Sequence, residues 1–190
     1  MTLFTQITLN PANPDARRVL ASREATHAVI AAACDGSARP LWRRHSNDRL
    51  YVVSDVIDEA RLRARLGSPD VVIRDYTKLD RLEDGAAHRF TTTVCPTKRN
   101  PDGRRIPLTT PDDVSSWLVR QLADAADVAR VTVDAVRPLR FRKRGAAVTL
   151  NAVDVIGVLT VKDVESMRRV LTGGLGRGKA YGLGLMMLAG

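Results

Sequence analysis

Leu3-Phe4-Thr5-Gln6-Ile7-Thr8-Leu9-Asn10-Pro11-Ala12-Asn13-Pro14-Asp15 is the stretch from which the fold is read. Residues 3–9 have the composition of a strand. Asn10-Pro11 and Asn13-Pro14 stop it, and a helix begins near Asp15, since proline suits a first helical turn but not a strand ladder. The spacing predicts that this helix runs to about Cys34. Two short strands follow, residues 41–44 and 50–53, joined by the turn formers Ser46-Asn47-Asp48 into a hairpin. A short helix over residues 58–66 and a strand over residues 71–76 complete the order β-α-β-β-α-β, that of a ferredoxin-like unit.

Outward from this unit, a polar stretch over residues 80–87 leads to a second series. A strand over residues 89–94 is followed by a basic loop, residues 98–105, and by a helix that begins at Pro111 and ends near Asp127. Residues 131–136, 139–144 and 153–161 read as strands, residues 164–171 as a helix, and residues 184–188 as a last strand after a glycine-rich loop. No sequence repeat is visible, so the duplication rests on element order. The expected fold class is α+β, two tandem ferredoxin-like (RRM-like) βαββαβ domains spanning residues 1–84 and 88–190.

Of the 190 residues, 44% are hydrophobic, enough for the cores of two small domains. The longest unbroken apolar stretch, residues 28–34, is far short of the roughly 20 residues of a membrane span, and no charged-then-apolar leader opens the chain. A cytoplasmic protein with no membrane partner is expected. Cys34 and Cys95 have no zinc spacing and read as small buried hydrophobes. The net charge of +9 points to a polyanionic partner, although a membrane surface or an acidic protein would suit basicity alone equally well. Residues 1–87 carry 13 basic against 12 acidic side chains, and residues 88–190 carry 17 against 9. The excess therefore belongs to the second half.

The most distinctive local feature is Gly173-Gly174-Leu175-Gly176-Arg177-Gly178-Lys179-Ala180-Tyr181-Gly182-Leu183-Gly184. The frame Gly173-x4-Gly178-Lys179 fits a P-loop, but Ala180 stands where a hydroxyl should hold magnesium, and too little chain follows for a nucleotide-binding core. What survives is a loop whose backbone N–H groups approach phosphate closely while Arg177 and Lys179 supply charge, or else a turn with two solvated cations. In Arg137-Pro138-Leu139-Arg140-Phe141-Arg142-Lys143-Arg144, an extended backbone puts Arg140, Arg142 and Arg144 on one face and Leu139 and Phe141 on the other. Such a cationic ladder suits either a nucleic-acid groove reader or an edge strand charged against aggregation. Lys98, Arg99, Arg104 and Arg105 make the preceding loop basic as well.

The eight aromatic residues include no aromatic RNP motif, so many arginines with few aromatics fit recognition of a structured stem through its phosphates. The three histidines match no metal spacing. Counted at 100° per residue along a continuous first helix, His27 lines up with Ala16 and Leu20, near the edge of the apolar stripe, where a half-buried structural histidine is the plain reading. His45 and His88 read as ordinary surface residues.

Several segments resemble the CasE family, the repeat-processing endoribonucleases of type I-E CRISPR systems. They are the opening strand with Asn10-Pro11, the helix carrying His27, Leu41-Trp42-Arg43, Pro96-Thr97-Lys98, Trp117-Leu118, Gly157-Val158-Leu159-Thr160-Val161 and, most specifically, Gly174-Leu175-Gly176-x-Gly178-Lys179-Ala180-x-Gly182-Leu183-Gly184-Leu185. The resemblance implies an enzyme without cofactor or metal that binds the hairpin of a CRISPR repeat RNA, cuts at the 3′ base of the stem, and keeps the product as one subunit of a Cascade complex. It places the family's helix histidine on His27. It puts Glu24 where some relatives have a catalytic tyrosine, making Glu24 a candidate second group, and Thr93-Val94-Cys95-Pro96 where relatives more often carry Arg and Asn before the proline. In the implied reaction the RNA 2′-hydroxyl attacks its own phosphate, His27 assists proton transfer, and nearby cations stabilise the charge. The alternative from another class is a non-catalytic RNA-binding protein of the same fold.

Overall fold

Strand β1 (Leu3–Thr8) is paired on both sides in this computed structural model, which describes residues 1–36, 39–46, 48–143 and 146–189, with the backbone alone at 142, 143 and 146. The chain forms two units, Met1–Asp80 with Ala180–Gly182, and Arg81–Lys179 with Leu183–Gly190. In the first, β1 lies between β3 (Arg49–Ser54) and β4 (Asp70–Asp75), and β2 (Leu41–Arg44) adds outside β3, all antiparallel. Alternation along β1 turns Thr5 and Ile7 inward, where both are fully buried. Ile7 joins Trp42, Leu50 and Val52 from the sheet, with Ile30, Leu62 and Leu66 from helices, in one apolar core. On the other face the Phe4 ring stacks on Tyr51 at 5.5 Å and lies 5.3 Å from Tyr76. Burial pushes the Tyr76 phenol up to about 12.

The first helix of the sequence reading is two helices. α1 (Pro14–Ala21) is started by Asn13, whose Oδ1 accepts from the backbone N–H of Asp15 at 2.8 Å, with Pro14 in its first turn. It ends at Ser22, which has extended backbone angles (φ −129°, ψ 123°). The Ser22 N–H still donates to Val19 O, while its side chain accepts from the Ala25 N–H at 3.2 Å and starts α2 (Arg23–Ala33). Across the break the buried Thr26 hydroxyl is shared between Val19 O and Ser22 O, both at 2.9 Å. Angular positions counted through Ser22 therefore do not hold. α3 (Glu59–Leu66), started by the Asp58 side chain, completes the helical layer.

The second unit repeats the plan. β5 (Ala87–Val94) lies between β9 (Ala146–Val161) and β10 (Met186–Ala189), with β8 (Ala126–Lys143) outside β9, in the order β10-β5-β9-β8. α4 (Pro111–Leu122) and α5 (Val164–Gly173) supply Leu118, Leu122, Met167 and Leu171, all fully buried. α4 stops well before Asp127, because residues from Ala126 onward pair with β9 instead. The expected basic loop contains a two-stranded hairpin, β6 (Thr97–Arg99) and β7 (Arg105–Pro107).

Two expected strands, 131–136 and 139–144, fall on β8 as far as Lys143, with residue 144 outside the described residues, and β8 runs straight through Pro138. The residue is tolerated because β8 is an edge strand, so a missing N–H can face outward without breaking the ladder. Register shifts between Val128 and Arg130 and between Val133 and Ala135 mark bulges that leave Ala129 and Asp134 without a partner across the ladder. With β8 continuous and the β6–β7 hairpin inserted as a separate small sheet, each unit has the order βαββαβ with its first strand inside the main sheet, and the α+β tandem ferredoxin-like reading is borne out.

At the break the Ser22 hydroxyl caps α2. Ser22→Ala is expected to lower unfolding free energy by about 1 kcal/mol in urea titration with an unchanged m value. An unchanged midpoint would show that the break does not rest on this cap.

Candidate functional site

α2 places His27 through its neighbours. Thr26, Ile30 and Ala33 face the core, Glu24 and Ala28 are exposed, and His27 stands half-buried at the boundary. Glu24 lies three residues before it on the same helix, within reach for a carboxylate–imidazole interaction. One turn before His27 is Arg23, a residue that no sequence motif singled out. Its Nη1 donates to Tyr181 O at 2.6 Å.

In the second unit, β5 pairs with β9 only as far as Val153, so beyond that point β8 and β9 continue as a two-stranded ribbon. Leu139 opposes Leu150, and both pack on a cluster of Cys95, Ala152 and Leu183. Arg140, on the opposite face, is exposed, as the alternation predicts. The side chains of Arg142 and Lys143 and the whole of Arg144 lie outside the described residues. Arg137 stands apart from the ladder: its Nη2 is held by the Asp154 carboxylate, which also accepts from Thr93 Oγ1 at 2.7 Å. That guanidinium is thus tied into the sheet.

The β6–β7 hairpin displays Lys98, Arg99, Arg104 and Arg105, all exposed. Asn100 closes its turn, with Oδ1 accepting from the Arg104 N–H at 2.7 Å. Arg99 Nη1 donates to Gly103 O at 3.2 Å, and the Lys98 ammonium lies 4.0 Å from an Asp113 carboxylate oxygen.

The glycine-rich loop is built differently from a phosphate cradle. It follows the C-terminus of α5, the end of a helix that carries partial negative charge. The N–H groups of Gly174, Leu175, Leu183 and Gly184 donate to Val170 O, Gly184 O, Gly178 O and Thr93 O respectively, so these four are committed within the protein. Gly176 has φ +63° and lies against Trp117, where a Cβ would come within 2.9 Å of the indole. Lys179 Nζ donates to Gly173 O at 2.6 Å and closes the loop on itself, while Arg177 is exposed.

Cys34 and Cys95 are free and buried, and burial pushes both thiols up, which makes them poor nucleophiles. His45 is exposed, its ring 5.4 Å from that of Tyr51, and His88 is half-buried. Among the described residues, no group of three or more His, Cys, Asp or Glu could hold a metal ion, and no helix is long and apolar enough to cross a membrane.

A half-buried helix histidine in the first unit, with a projecting ribbon and a basic hairpin in the second, defines a tandem ferredoxin-like protein that displays its cations on β structure. The chain belongs to the CRISPR associated protein family, which it matches over residues 3–190. It is 30% identical to the CRISPR-associated endoribonuclease Cse3 of Thermus thermophilus, over 98% of this chain and 99% of the relative. The structure of Thermus thermophilus Cse3 bound to an RNA representing a pre-cleavage complex superposes with a TM-score of 0.84 at 28% identity, covering 100% of this chain and 99% of the other. The Cascade subunit CasE of Escherichia coli is 34% identical over 45% of this chain and 43% of its own length.

Proposed function

We propose that this protein is an endoribonuclease that binds the stem-loop of a CRISPR repeat RNA and cleaves at the 3′ base of the stem, keeping the product as a Cascade subunit in the cytoplasm. The observation that carries this reading is the relationship along the whole chain to an endoribonuclease whose structure holds RNA in a pre-cleavage state. In this reading the first unit supplies proton transfer and the second unit grips the stem. The 2′-hydroxyl attacks the adjacent phosphorus, an O2′–P bond forms and the P–O5′ bond breaks, leaving a 2′,3′-cyclic phosphate and a 5′-hydroxyl. RNA supplies the nucleophile, and His27, half-exposed on α2, accepts or delivers the proton. Arg104, Arg105, Arg140 and Arg177 are exposed and suited to phosphates, and the sequence adds the charges of Arg142, Lys143 and Arg144 after Arg140. Arg137 and Lys179 are held by Asp154 and Gly173 O, and serve the RNA by shaping the ribbon and the loop that carry the exposed cations.

Incubation with repeat RNA in EDTA tests this function together with its metal independence. Cleavage to a cyclic phosphate is expected, and tight binding without cleavage would establish a non-catalytic RNA-binding protein. His27→Ala should slow single-turnover cleavage by about 100-fold or more with little change in affinity, the usual scale of acid–base assistance. Near-normal cleavage by that variant would return His27 to a structural role.

Changing Arg140, Arg142 and Arg144 together to Ala should weaken hairpin binding and reduce the slope of log affinity against log salt by roughly 2 to 3. An unchanged slope would move the stem contact to the β6–β7 hairpin or to Arg177.

The Glu24 carboxylate favours a charged imidazole three residues on, whereas the Arg23 guanidinium four residues before His27 acts in the opposite sense. With His27 as base, Glu24→Gln is expected to move the acidic limb of the pH–rate profile downward. A coincident profile would make Glu24 a solvated bystander, and complete loss of cleavage would give it a direct part.

A further inference from the structure

α2 begins at Arg23 directly after the Ser22 break, so Arg23 and His27 are one turn apart on the same helical face. Arg23 is half-buried, and its Nη1 donates at 2.6 Å to the carbonyl of Tyr181, 158 residues away in sequence. A hydrogen bond from a guanidinium is short and roughly twice as strong as a neutral one. Tyr181 belongs to Ala180–Gly182, the short segment that folds with the first unit. The next residue provides a second attachment. Gly182 is buried with φ +75°, and a Cβ there would lie 2.6 Å from Trp42 Cζ3, so only glycine lets the backbone lie against that indole. Trp42 is itself only 1% exposed in the core beneath. Ala180–Gly182 is therefore held at two points, by the first residue of α2 and by β2.

We propose that Arg23 is a positioning residue for RNA cleavage. It pins the Tyr181 backbone to the opening turn of the helix that carries His27, while the contact of Gly182 with Trp42 fixes the other side of the segment. Ala180–Gly182 is thereby attached to the residue one helical turn before His27, and proton transfer depends on how such a segment is placed. A displacement of about 1 Å at a reacting centre costs on the order of 100-fold in rate. This role rests on the reading of His27 as the proton-transfer group, and Arg23 acts through Tyr181 without touching substrate.

Single-turnover cleavage of repeat hairpin RNA at saturating protein tests the role, with affinity and melting temperature measured alongside. Arg23→Ala is expected to slow the cleavage step roughly 10- to 100-fold while the hairpin dissociation constant stays within about twofold. Arg23→Lys, which can still donate to Tyr181 O, should recover most of the loss. Gly182→Ala should also slow cleavage, and the double variant should be little slower than the slower single one, because both changes release the same segment. If Gly182→Ala does not fold, the contrast of Arg23→Ala with Arg23→Lys decides alone. Wild-type cleavage by Arg23→Ala, lost affinity at an unchanged rate, no recovery by Lys, or multiplicative effects in the double variant would each overturn the assignment. If His27→Ala is inactive while Arg23→Ala is normal, this role fails alone. If His27→Ala cleaves normally, the reading of His27 fails with it.

Discussion

Pairing of the first strand of each unit with the strand that returns last is the constraint on which the structure depends. β1 is flanked by β3 and β4, and β5 by β9 and β10, so neither sheet is complete until the chain has passed through both helical segments and come back. In the second unit the return is narrow. Among the described residues β10 meets β5 through four pairs, Met186–Ala189 against residues 89–92, which leaves the glycine-rich stretch to carry the chain from α5 to that register. The Leu175 N–H donates to Gly184 O inside the stretch, and the Gly184 N–H donates to Thr93 O at the end of β5. The loop is therefore compact because strand pairing requires its two ends to meet. Its glycines serve that closure first.

The same division between holding the fold and facing solvent sorts the basic residues. Arg137 and Lys179 are attached to Asp154 and Gly173 O, and Arg44 Nη1 donates to Leu20 O, so these cations brace the backbone. Arg104, Arg105, Arg140 and Arg177 remain exposed on hairpins or on the loop. Exposed ion pairs such as Arg18–Asp15 and Arg63–Glu59 add little to stability, since solvent screens them. In the proposed function the surplus of exposed cations in the second unit attracts a polyanion and fixes its backbone.

Periodicity and caps carried most of the architecture in legible form. Asn13-Pro14, Asp58 and Thr110-Pro111 begin helices through local hydrogen bonds, and alternation puts Leu139 and Arg140 on opposite faces. Two misreadings have local causes. Residues 15–34 look like one helix because Ser22 interrupts no apolar pattern, yet its hydroxyl caps α2 from an extended backbone. Pro138 looks like a strand terminator because proline breaks interior ladders, and the penalty vanishes only on an edge strand.

The amino-acid sequence by itself determined the order βαββαβ of the first half, the opposite faces of Leu139 and Arg140, the concentration of positive charge after residue 87, and the helical setting of His27. These follow from interactions between residues a few positions apart, or from composition alone. Tertiary structure alone decided that β8 is an edge and can carry Pro138, that Asp154 holds Arg137, that Lys179 closes its loop, and that Arg23 holds Tyr181. Most of these are pairings that depend on where a strand or a turn ends up, and no spacing rule encodes a partner 158 residues away.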